Sequence, residues 1–130
     1  MNEKTEVKIV RLIKQIGADV DWKKPANKQL IAGILALKNE DETRRFLRDL
    51  MTPGEITEFG KRLETACLLS QDVQYNAISE NTGLSSATIA RIAKWLDGSL
   101  GGYRLIISRL SKFSNHHSPS RLRKGLSLNS

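Results

Sequence analysis

The sequence predicts an all-α protein, and three observations support that expectation. Apolar residues recur at spacings of three and four along nearly every segment, the period of one helix face. Aromatic residues are only 5% of the chain against 39% hydrophobic, so a core has to be built from Leu, Ile and Ala, as in packed helices. Helix-start signals stand before the longest stripes, and no segment alternates cleanly as a half-buried strand does. No internal repeat is evident.

Taken in order, Val7, Val10, Ile13 and Ile16 form a first stripe that ends at Gly17, and Trp22-Lys23-Lys24-Pro25 reads as a connection. Leu30, Ile31, Ile34 and Leu35, extended by Leu37, form a second stripe. Asn39 suits an N-cap, and Glu42 three residues later can return its carboxylate to the free backbone donors. Phe46, Leu47, Leu50 and Met51 are then the apolar face of a third helix. Thr52-Pro53-Gly54-Glu55 is the clearest boundary. Thr52 can cap, Pro53 loses nothing at the first helical position, and Glu55 completes the box. Ile56, Phe59, Leu63, Ala66, Cys67 and Leu69 carry a long helix to about Ser70. A short helix is expected around Asn76–Asn81, then a glycine turn and a helix from Ser86 to about Leu96. Ser99-Leu100-Gly101-Gly102 reads as a break, with Gly101-Gly102 as the helix stop. Tyr103, Ile106, Ile107 and Leu110 restore helical spacing for a last short helix. From Ser114 onward Ser, His, Asn, Pro, Arg and Lys dominate, a composition that predicts disorder.

A chain of 130 residues holds one main core. The expected division is an N-terminal extension with one helix at 1–25, a helical domain at 26–112 and a basic tail at 113–130. No apolar run approaches the roughly 20 residues of a membrane span. Met1-Asn2-Glu3-Lys4 opens no secretory signal, and the single Cys67 permits no internal disulfide, which together point to a cytoplasmic protein. The net charge is +7, unevenly spread. Residues 1–51 hold 11 Lys/Arg against 8 Asp/Glu, residues 52–100 hold 4 against 6, and residues 101–130 hold 6 against none. A basic C-terminal end suits a polyanion, nucleic acid before lipid, although charge runs are commonly only solvated surface.

The segment from Tyr75 to Leu96 has the pattern of a helix-turn-helix. Two helices crossing steeply need a small residue where they meet and a positive-φ residue at the bend. Ser79 and Gly83 fit these positions, Leu84 can fill the space between the helices, and Ile78, Ile89 and Ile92 can bury the inner faces. Ser85 can cap the second helix. Its outer face would then carry Ser86, Ala87, Thr88, Ala90, Arg91 and Lys94, small at the N-terminal end and basic beyond, which lets a helix approach base edges closely. On that reading double-stranded DNA is the partner. Thr88 would meet a base and Arg91 either guanine O6/N7 or a phosphate; Lys94, Ser86 and Tyr75 would touch phosphates, and Ser85 and Ala87 complete the contact surface. The plain alternative is a helical hairpin with a solvated outer face.

Leu50-Met-Thr-Pro-Gly-Glu-Ile56, Ala66-Cys-Leu-Leu69, Ile78-Ser-Glu-Asn-Thr-Gly-Leu-Ser-Ser-Ala-Thr-Ile-Ala-Arg91 and Gly101-Gly-Tyr-Arg-Leu105, with Ile34-Leu-Ala-Leu-Lys-Asn-Glu40 upstream, resemble the YerC/YecD family of the Trp repressor superfamily. The resemblance runs from about residue 28 to 110. It implies a Trp repressor-like helical bundle, an intertwined homodimer, and transcriptional regulation. The apolar stripes at Leu30–Leu37 and Phe46–Met51, with the Ile56–Leu69 helix, are where that interface is expected. Aligned on the superfamily's tryptophan-binding residues, Thr52 and Arg91 match two positions, and Glu64 stands where an arginine is expected. A carboxylate there opposes the carboxylate of an amino acid, so the implied regulator is not tryptophan-responsive.

Other features point to no chemistry. His116-His117 has no Cys, Asp or Glu after Asp97 to complete a metal set, and no nucleophile–base arrangement or phosphate loop is present, so neither cofactor nor enzyme activity is expected. Cys67 lies within a stripe and reads as packing, and Trp95 as a packing anchor. Two further functions compete with sequence-specific DNA binding. One is a protein-interaction module on the same fold, and the other is nonspecific nucleic-acid binding through the basic tail.

Overall fold

The computed structural model describes residues 2–9 and 19–117, the last five of these as backbone only, and every element in it is helical. Residues 3–9 are helical. The rest of the expected first stripe, Val10 to Ile16, lies outside the described residues, as does the tail from 118 onward. Helix α1 is Pro25–Ala36, α2 Glu40–Leu50, α3 Pro53–Ser70, α4 Tyr75–Thr82, α5 Ser86–Leu96 and α6 Gly102–His117. The chain divides inside α2 into two units, residues 1–47 and 48–130.

In the first unit α1 opens on Pro25, whose missing donor costs nothing there. A Cβ at Gly33 would lie 3.5 Å from Cζ of Phe46, so the glycine lets that ring rest against α1. Asn39 caps α2 as expected, its Oδ1 accepting from the Glu42 amide at 2.9 Å. The return bond differs, because the Glu42 carboxylate accepts from the amide of Lys38 instead of Asn39, at 3.3 Å. Neither α1 nor α2 buries a residue. Leu30, Ile31 and Ile34 are exposed, and Leu35 is 79% exposed.

The second unit is built on α3. Its capping box is complete: Thr52 Oγ1 accepts from the Glu55 amide at 3.1 Å, and the Glu55 carboxylate accepts from the Thr52 amide at 3.0 Å. Hydrogen bonding to the Thr52 backbone amide, and then to its hydroxyl, holds the Glu55 carboxyl below its ordinary value. At the far end Asp72 has φ 61°, the Val73 amide donates to the Leu68 carbonyl and the Asp72 amide to that of Leu69. This is the left-handed closure for which glycine is usual, here made by an aspartate. Ala66 of α3, Ile78 of α4, Leu84 of the turn, and Ile89 and Ile92 of α5 form the buried core, with Leu68, Leu69, Val73, Tyr103 and Ile107 packed on it.

Three expectations for this half are corrected. Helix α5 spans Ser86–Leu96 as expected, but Gly102, read as part of a helix stop, instead opens α6. The Asp97 amide donates to the Ala93 carbonyl and the Gly98 amide to that of Trp95, which closes α5 before the glycines are reached. The last helix is not short. It runs to His117, so residues 114–117 are helical where disorder was expected. Trp95 is 51% exposed, so it does not anchor packing within this chain.

Gly83 and Gly101 have φ of 76° and 70°. A Cβ at Gly83 meets nothing within 4 Å, whereas one at Gly101 would lie 3.0 Å from Nη2 of Arg104, whose Nη1 donates to the Leu96 carbonyl. Chemical denaturation should therefore show Gly83→Ala costing about 1–2 kcal/mol, the left-handed strain alone. Gly101→Ala should cost more, because it also disturbs the Arg104 bond. Equal losses would remove that bond from the account.

Candidate nucleic-acid interface

The turn between α4 and α5 is held by side-chain hydroxyls as much as by apolar contact. Thr82 is 4% exposed. Its Oγ1 donates to the Ile78 carbonyl at 2.8 Å and accepts from the Leu84 amide at 3.2 Å. Ser79, expected as the small residue at the crossing, is half-buried, and its Oγ donates to the Leu84 carbonyl at 2.8 Å. The Gly83 amide donates to the Ser79 carbonyl at 2.7 Å. Together these satisfy the backbone at a bend that carries Leu84 into the core. Thr82 was missed in the sequence. Its only signal is a hydroxyl four residues after Ile78 and next to the turn glycine.

Ile78, Ile89 and Ile92 have no accessible surface, as expected for the inner faces. Their spacing leaves Ser86, Ala87, Ala90, Arg91 and Lys94 exposed on α5, with Thr88 half-buried at the edge. Ser85 caps the helix, its Oγ accepting from the Thr88 amide at 3.2 Å. The same Oγ donates to Thr88 Oγ1 at 3.0 Å, and Arg91 Nη2 donates to Thr88 Oγ1 at 3.3 Å. Ser85, Thr88 and Arg91 are thus one hydrogen-bonded set. Tyr75, at the first position of α4, is 42% exposed. Helix α5 contains no acidic residue, and Lys94 in its last turn complements the negative end of the dipole.

The residues expected around a ligand are not brought together by any hydrogen bond or ion pair among the described residues. Thr52 is occupied as a cap, and Glu64 is exposed. Residues 62 and 64 lie about 200° apart around a helix, and Arg62 is on the covered side with the buried Thr65 and Ala66. Arg62 pairs with Glu58 at 3.8 Å, stands 5.5 Å over the Phe59 ring, and has a buried Nε without a hydrogen-bond partner. The ionisable group on that side is therefore a cation. Cys67 is half-buried. Burial pushes its thiol pKa up and the Glu64 carboxylate adds to the effect, which favours packing over reactivity.

Among the described residues no helix is long and apolar enough to cross a membrane, and no three His, Cys, Asp or Glu side chains gather as a metal site requires. The His116 and His117 side chains lie outside the description.

The family model described as Trp repressor protein matches residues 26–111. Over 84 residues the chain is 37% identical to the uncharacterized protein YerC of Bacillus subtilis (strain 168), covering 65% of this chain and 81% of the relative. The solved structure of a TrpR-like protein from Eubacterium eligens ATCC 27750 is similar with a TM-score of 0.66 at 38% identity, covering 69% of this chain and 93% of that one. A candidate Trp repressor from Staphylococcus aureus gives 0.65 at 31% identity, covering 72% and 96%.

The hydroxyls of Thr82 and Thr65 make a controlled pair. Thr65 is wholly buried and its Oγ1 has no partner, while Thr82 both donates and accepts. Thermal unfolding should show Thr82→Val losing about 1–3 kcal/mol, because it strands the Leu84 amide. Thr65→Val, of the same shape, should be neutral or stabilising. A comparable loss at both positions would mean that Thr65 also has a partner.

Proposed function

Because the chain belongs to the Trp repressor family, we propose that it is a homodimeric, sequence-specific DNA-binding transcriptional regulator that places α5 in the major groove. The observation that carries this reading is the free face of α5. Its inner side is fixed by three residues, of which Ile89 and Ile92 belong to the helix itself and Ile78 to α4. Its outer side is small at Ser86 and Ala87 and cationic at Arg91 and Lys94. A rigid helix with a slim, positively polarised N-terminal end can come within reach of base edges, and its first free amides suit phosphate. Thr88 and Arg91 read bases on this proposal. Tyr75, Ser85, Ser86, Ala87 and Lys94 line the contact and set register on the backbone. No small-molecule effector is part of it.

The dimer rests on separate observations. Leu30, Ile31, Ile34 and Leu35 of α1, and Leu50 and Phe59 beyond it, are large apolar side chains left exposed by a single chain. A second copy covering these faces gives them an interior and sets two α5 helices about 34 Å apart, the spacing of successive major-groove turns on one face of DNA.

Selection from random duplexes with the full chain should return an inverted repeat. Arg91→Ala should lower discrimination at one base pair of each half-site by roughly ten- to a hundred-fold, the size of a lost base contact. Binding should also weaken steeply with salt. If Arg91→Ala leaves the selected sequence unchanged and loss of residues 118–130 abolishes binding, the chain is a nonspecific polyanion binder instead. Sedimentation at low micromolar concentration should give twice the chain mass, and a monomer there would refute the dimer.

A further inference from the structure

Thr88 stands one turn before Arg91 on α5, at the edge of the face that Ile89 and Ile92 leave free. A hydroxyl offers one donated bond and two accepted ones. Both accepting positions of Thr88 Oγ1 are taken, by Ser85 Oγ at 3.0 Å and by Arg91 Nη2 at 3.3 Å. The Ser85 hydroxyl is fixed in turn, because it accepts from the Thr88 amide.

We infer that Thr88 is a positioning residue for Arg91, and that the pair presents hydrogen-bond donors only, which selects guanine at the base pair it meets. The inference rests on the reading of α5 as the helix that contacts DNA. It has two physical parts. An arginine loses considerable rotamer freedom when it docks, and one already tethered along its helix loses less. With its acceptor positions filled, Thr88 has only its own proton to offer, beside the guanidinium of Arg91. Guanine is the base whose major-groove edge carries two adjacent acceptors, N7 and O6. The amines of adenine and cytosine would instead meet a hydroxyl with no acceptor to spare. Thr88 therefore acts on base choice through what it withholds, in addition to any contact of its methyl group.

The experiment uses the full chain and the duplex recovered by selection with it. Thr88→Val keeps the shape and the methyl group but puts a second methyl where the tethering hydroxyl was, while Thr88→Ser keeps the hydroxyl. Thr88→Val should weaken binding to that duplex by roughly three- to ten-fold, the scale of one modest hydrogen bond. It should also reduce the preference for guanine at the base pair whose readout Arg91→Ala abolishes. Thr88→Ser should retain both, and Thr88→Val should cost clearly less in the Arg91→Ala background than it does alone. In the free protein, nitrogen relaxation of the Arg91 Nε–H should show a more mobile side chain in Thr88→Val than in the wild type or Thr88→Ser. Unchanged mobility overturns the tether without reference to DNA. Equal losses from Thr88→Val in both backgrounds overturn it as well, since Thr88 would then act by its own contact. If Arg91→Ala leaves base preference intact, the DNA assignment of α5 has failed and the base inference falls with it, whereas an effect of Arg91→Ala but not of Thr88→Val defeats the tether alone.

Discussion

The burial of Ile78, Ile89 and Ile92 against Ala66 is the contact on which the rest of the second unit depends. Fully burying an isoleucine contributes about 1.5–3 kcal/mol, and among the described residues only five apolar side chains are this deeply covered. A core so small has no surplus, so each member fixes geometry as well as stability. Ala66 matters for its size: a larger side chain on α3 would force α4 and α5 outward and change how they cross. Everything said of the outer face of α5 follows from that crossing. With Ile89 and Ile92 turned inward, the helical period leaves Ala87, Arg91 and Lys94 no other direction.

A small apolar interior shifts part of the structural specification to hydroxyls, and three threonines show how differently the same side chain behaves. Thr52 is exposed and stops a helix from fraying by accepting from Glu55. Thr82 is buried and fully engaged, so it replaces the water that the turn would otherwise need. Thr65 is buried with an unpartnered oxygen, and Nε of Arg62, three residues earlier, also has no hydrogen-bond partner. Neither atom gains from being there, and the nearby charge of Glu58, at 3.8 Å, only partly offsets the desolvation of the guanidinium. The covered side of α3 is thus less well satisfied than the turn between α4 and α5.

These differences explain what could be read from the residues alone. The Thr52–Glu55 box, the Ser85 cap and the positive φ of Gly83 were legible because each is a local rule about neighbouring residues. The inward isoleucines were legible because helical period fixes their face. Asp72 was not, since a left-handed residue without glycine leaves no signature in composition. The start of α6 at Gly102 was hidden because paired glycines read as a stop, while only Gly101 takes the left-handed turn. The Thr88–Arg91 bond depends on rotamers, which no spacing specifies. Helix α3 turns Glu64 to solvent and leaves Arg62 on the covered side.

Electrostatics then separate attraction from selection. Arg44 and Arg45 are held by Glu40 at 2.8 Å and Asp41 at 3.0 Å. Exposed pairs of this kind add little stability, but they do remove two cations from any surface field. Arg104 is committed to the end of α5. Among the described residues no ion pair engages Lys94, Arg109 or Lys112, and no acidic residue follows Asp97. The segment from 52 to 100 that contains α5 carries four basic against six acidic residues. For a helix that reads DNA, such a setting is useful. Acidic surroundings depress the sequence-independent attraction to phosphate, while hydrogen bonds to base edges are short-range and lose little. Discrimination among many competing sites depends on the ratio of specific to nonspecific affinity. On the proposed reading, an α5 surface that attracts phosphate only weakly would raise that ratio without adding a base contact.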